Sequence, residues 1–89
     1  MIKYIVEFIG TLLLVLVILA TGNWIAIGAI LGIDVLIGGP ISGGAFNPAV
    51  AIALNNADKL SNCDLLIYII VEILGGVTAL LVYNQYIKK

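Results

Sequence analysis

Ser42-Gly43-Gly44-Ala45-Phe46-Asn47-Pro48-Ala49-Val50 decides how this chain is read. Asn47 before Pro48 is a helix start: Asn accepts from the free amides of a first turn, and proline gives up an N–H that turn cannot use. Gly43 and Gly44 give the backbone ahead of it freedom for a close approach. Ala49 to Leu54 then continue as a short apolar helix of under two and a half turns, about 12 Å with Pro48 included. Asn55-Asn56 and Asp58-Lys59 return the chain to polar composition. This helix start falls where a solvated loop would carry a different composition.

The surrounding chain is built for lipid. Its 89 residues are 63% hydrophobic and only 10% charged, with a mean hydropathy of +1.24. That is more apolar surface than a small soluble domain can hide, so the expected class is an all-α, multi-pass integral membrane protein. The formal net charge is -1, with no Arg and no His. This excludes a basic patch for nucleic acid, a His-based metal site and a His general base. Cys63 has no second Cys or His to pair with and is expected to be an ordinary loop residue.

Three stretches are long enough to cross a hydrocarbon core of roughly 30 Å, at about 1.5 Å per residue. They are Tyr4 to Thr21, Trp24 to Gly38 and Leu65 to Tyr86. The second, at about 15 residues, is short for a span and is expected to end at Gly38-Gly39-Pro40. Lys3 ahead of the first apolar run, with Ala20-Thr21-Gly22 after it, has the outline of a signal peptide, but the run is long and a second membrane segment follows. Residues of about 39–55 are expected to form a re-entrant loop and half-helix, about half a membrane deep. Trp24, Tyr4, Tyr83 and Tyr86 sit near span ends as interfacial anchors. Gly28-xxx-Gly32 and Gly75-Gly76 are expected to permit close helix packing.

Irregular backbone at membrane depth must find acceptors for its free N–H groups inside the protein. Glu7 and Glu72 are the candidates, because a charge at a helix centre costs roughly 2.5–3.5 kcal/mol even on insertion scales and is rarely idle. Asp34 has three open readings: a conduit-lining residue, a support for the Gly43 or Gly44 amides, or an interfacial side chain.

Glu7-Phe8-Ile9-Gly10-Thr11, the Ser42 to Val50 stretch, and Tyr68 with Glu72-Ile73-Leu74-Gly75-Gly76 together resemble the aquaporin and aquaglyceroporin family. The similarity covers nearly the whole chain, 1–89 reading as a single repeat. Members of that family contain two such three-span repeats in inverted orientation, whose Asn-Pro-Ala motifs meet at the midplane. The resemblance therefore implies a half repeat of three transmembrane helices plus one re-entrant half-helix, completed by an inverted second copy. It implies a passive channel for water or small neutral solutes such as glycerol, urea or ammonia, with no reaction catalysed, no cofactor, and a possible further assembly into a tetramer of pores.

By the same resemblance Asn47 donates hydrogen bonds to the passing molecule, Pro48 fixes the helix start and Ala49 lets the two motifs touch. Each helix N-terminus presents about half a positive elementary charge and repels cations. Val50 stands where strict water channels carry Arg, Val35 where they often carry His, Ile27 at the aromatic filter position and Gly44 at the loop position. Such an apolar filter is expected to be wider and less selective.

The placing of the lysines carries separate information. Lys3 and Lys59 fall on one side of three spans, Lys88 and Lys89 on the other, which leaves no positive-inside bias. A chain inserting both ways and pairing with its own inverted copy has this pattern. Two other readings remain open here: a proton-coupled dual-topology transporter using the membrane carboxylates, and a nonconducting accessory subunit of a full-length channel.

Overall fold

The computed structural model describes residues 1–88; Lys89, counted above among the lysines, lies outside the described residues. Four α-helices follow in order: α1 (Ile2–Thr21), α2 (Trp24–Ser42), α3 (Pro48–Asn56) and α4 (Asn62–Val82), the last running into a π-helical turn, Tyr83–Ile87. No strand occurs among the described residues. Three of the helices are long and apolar enough to cross a membrane. The long axis of 43 Å matches a bilayer of about 40–45 Å with its headgroups.

α1 is the central element. It packs against both α2 and α4, α3 packs on α4, and α4 reaches the end of α2 through Tyr68. α1 and α4 begin at the same end of the molecule. There Lys3 Nζ donates to Asp64 Oδ2 at 2.7 Å and Tyr4 Oη to Asp64 Oδ1 at 2.6 Å, with Tyr4 stacked edge-on against Tyr68 at 6.0 Å. Tyr4 is thus tied into a polar cluster as well as lying at a span end. The interior inverts the soluble pattern: Glu7, Thr11, Asp34, Ser42 and Glu72 are buried while many large aliphatics are exposed. This suits a solvent that rewards apolar surface and requires polar groups to be satisfied internally.

Local signals fix most helix ends. Asn23 Oδ1 caps α2 by accepting from the Ile25 and Ala26 amides at 2.9 and 3.0 Å. Ser61 Oγ caps α4 by accepting from the Asp64 amide at 3.1 Å, which starts α4 three residues before the expected Leu65 and carries Cys63, exposed, into its first turn rather than a loop. α2 also departs from expectation: it runs through Gly38-Gly39-Pro40 and ends at Ser42, 19 residues long. Pro40 removes one donor from the ladder, but the next turn closes with the Gly43 amide on the Gly39 carbonyl at 2.8 Å. Gly43 (φ 90) and Gly44 (φ 73) then turn the chain through the left-handed region open to glycine.

Candidate functional site

The site is built around the segment from Ser42 to Asn47. The Ala45 and Phe46 amides and the Ser42 hydroxyl converge on Glu7, which is wholly buried on α1. Glu7 Oε1 accepts from the Phe46 amide at 2.8 Å. Oε2 accepts from Ser42 Oγ at 2.6 Å and the Ala45 amide at 3.3 Å. Three donors on one carboxylate provide the internal partners that buried irregular backbone requires. Thr11, one turn further along α1, donates Oγ1 to the Phe46 carbonyl at 3.2 Å. Tyr68 on α4 donates to the Ser42 carbonyl at 2.5 Å.

Phe46 is the mechanical anchor. It has a left-handed backbone (φ 54), uncommon for a non-glycine residue, and is almost fully buried. Its ring fills a slot between α1 and α2 that exists only because Gly10 and Gly38 lack side chains. A Cβ on Gly10 would collide with the ring, and one on Gly38 would lie 2.8 Å from Phe46 Cζ. Amide, carbonyl and ring are thus all held, and the residue that follows is Asn47.

Asn47 is exposed with extended backbone, and its Oδ1 accepts from the Ala49 amide at 2.7 Å. Among the described residues its Nδ2 donates to nothing, so two N–H donors face outward. Pro48 begins α3. Thr11 lies nine residues into α1, so Phe46 and Asn47 sit about 14 Å from that helix's start. The nine residues of α3 return about the same distance. Beyond α3, Asn55 Nδ2 donates to the Leu60 carbonyl at 2.9 Å and Asn62 Oδ1 at 2.8 Å.

Of the other residues singled out in the sequence, Val35 and Gly44 come together: a Cβ on Gly44 would lie 3.7 Å from both Val35 methyls. Ala49 and Val50 are exposed on the first turn of α3, and half-buried Ile27 lies two turns of α2 away from Val35. Glu72 is buried beside the Glu7 carboxyl and the Asn47 backbone, but neither of its oxygens has a hydrogen-bond partner. Asp34 is no support for the glycine turn, contrary to one expectation: the Gly43 amide donates to Gly39 and the Gly44 amide to Ser42 Oγ. It faces a groove between α1 and α2 instead.

Sequence reasoning missed Thr11, Ser42 and the wedge role of Phe46. Gly10 and Gly38 were the available signal, each a glycine in mid-helix facing the loop aromatic. The glycines expected to permit helix packing divide differently. Gly75 abuts α1, where a Cβ would lie 2.6 Å from the Phe8 carbonyl oxygen, whereas Gly28 and Gly32 have open space around them.

The family described as major intrinsic protein matches residues 2–89. Among curated proteins, the chain is 35% identical to the glycerol uptake facilitator protein-like 6 of Lactiplantibacillus plantarum, over 97% of this chain and 44% of that protein. It is 34% identical to the aquaglyceroporin AqpS of Rhizobium meliloti, over 84% of this chain and 39% of that protein. With aquaporin NIP3-1 of Arabidopsis thaliana the identity is 35%, over 92% and 28%. The chain thus spans less than half the length of these relatives. No solved structure gives a significant match. With nearly its whole length matched, a buried carboxylate gathering the loop amides and Asn47 heading a short helix, the chain belongs to the major intrinsic protein family.

Proposed function

We propose that the chain forms a passive pore for water and small neutral solutes by pairing with an inverted copy of itself. Asn47 carries this reading. Its backbone is held by anchors on both sides, and its two free N–H donors stand at the N-terminus of α3, at the depth where a crossing molecule loses its bulk hydration. In the bilayer α3 is the re-entrant half-helix, its start near the midplane, and 1–89 is one repeat of the pore.

One copy presents Asn47, Ala49 and Val50 on an open face, which lipid could not satisfy. An inverted copy closes that face and brings a second Asn47 against the first. Two helix N-termini then face each other, and their partial positive charges repel cations. Ile27 stands about 12 Å along α2 from Val35, so a constriction using Ile27, Val35, Gly44 and Val50 draws on both copies. With no charged or aromatic member among those four, the pore admits glycerol and urea as well as water. The names of relatives that include a glycerol uptake facilitator and aquaglyceroporins support this breadth. Further assembly of these pairs into a tetramer of pores is part of the same proposal.

Stopped-flow light scattering of vesicles containing only this purified chain tests the proposal. Water and glycerol permeability should rise well above that of empty vesicles and fall back in Asn47→Asp, which keeps the cap acceptor but loses both donors. Folded protein that gives no flux above empty vesicles would refute it.

A further inference from the structure

A second site lies on α1 and α2, apart from the residues assigned to the pore. It is a groove of about 200 Å³ whose lining includes Ile9, Leu13, Asp34, Ile37, Ile41 and Phe46. None of Ile27, Val35, Gly44, Asn47 or Val50 belongs to it. Its walls are aliphatic, and Ile9, Leu13, Ile37 and Ile41 are exposed along it, open to whatever surrounds the helix pair. Two members differ in kind. Asp34 is 7% exposed and its Oδ2 has no hydrogen-bond partner; the buried Phe46 closes the floor of the groove.

An unpaired buried carboxylate oxygen calls for a donor. Among the described residues no lysine supplies it: Lys3, Lys59 and Lys88 all lie outside or at the ends of the long helices. A buried carboxylate at the edge of an otherwise apolar space makes a site for an ammonium group. Apolar cavities of about 150 Å³ accept benzene, so this one has room for a single-ring body beside the charge.

We propose that the α1–α2 groove binds a small amphiphilic amine entering from the lipid, its ammonium on Asp34 and its apolar body against Phe46 and the flanking aliphatic side chains. Because the ligand would touch the ring that anchors the Asn47 segment, its binding is expected to reduce flux. The binding itself does not depend on the pore reading.

Benzylamine is the probe, with the chain in lipid nanodiscs and protein-free nanodiscs as the partitioning control. Saturable binding should be seen by ligand-observed NMR. Benzyl alcohol, which has the same ring without the charge, should bind about tenfold more weakly or worse, and so should benzylamine to Asp34→Asn. If Asp34→Asn does not fold, the comparison of the two probes on the unaltered chain still decides. Equal affinity for the two probes, no saturable binding above the lipid control, or unchanged affinity in folded Asp34→Asn would overturn the proposal.

Discussion

Glutamine at position 7 keeps one acceptor oxygen but turns an NH2 group toward amides or a hydroxyl that now find carboxylate. Three donors meet Glu7, so Glu7→Gln should destabilise the fold by at least about 2 kcal/mol and depress flux, as read by denaturant unfolding and vesicle assays. Glu72 receives no donor, and Glu72→Gln should leave both stability and passive flux nearly unchanged. Loss of a pH-gradient-driven uptake in that variant would instead mark Glu72 as a coupling carboxylate. Phe46→Ala empties the slot between Gly10 and Gly38 and should cost about 3–5 kcal/mol, with Phe46→Leu intermediate. Two carboxylates at loop depth were legible in the sequence because charge in lipid is conspicuous. Which of them collects the amides was not, since that depends on the turn made by Gly43 and Gly44 and on Phe46 adopting a left-handed backbone.

At the scale of elements, α1 serves as the post on which α2 and α4 hang, and the contact with α4 is made through Gly75. A side chain there meets backbone, the Phe8 carbonyl oxygen at 2.6 Å, while at Gly76 the nearest atom is a Val15 methyl at 3.8 Å. Gly75→Ala should therefore destabilise by about 1–3 kcal/mol. Gly76→Ala should be neutral or slightly stabilising, because alanine favours the helix. Thermal unfolding of the two variants side by side checks the ordering; equal effects would contradict it. The short helix after Asn47-Pro48 was legible from its cap and proline. The end of α2 was not: Gly38-Gly39-Pro40 is a stop signal in water, but in lipid a helix keeps its backbone bonds for as long as another turn can close.

At the scale of the whole molecule, the proposed inverted pair rests on lysines at both ends of the spans. Lys3 and Lys59 are placed at the end where α1 and α4 begin, and Lys88 follows the π-helical turn at the far end of α4. A chain so weakly biased can be forced one way or the other by adding lysines at either end. The most direct test uses two such orientation-locked versions, one with added lysines near Lys59 and one with them near Lys88, expressed singly and together. Each alone should insert in one orientation and give no glycerol or water flux, while co-expression should restore flux toward that of the unaltered chain. Full flux from either version alone, with its single orientation verified by cysteine labelling at Cys63, would contradict the inverted pair.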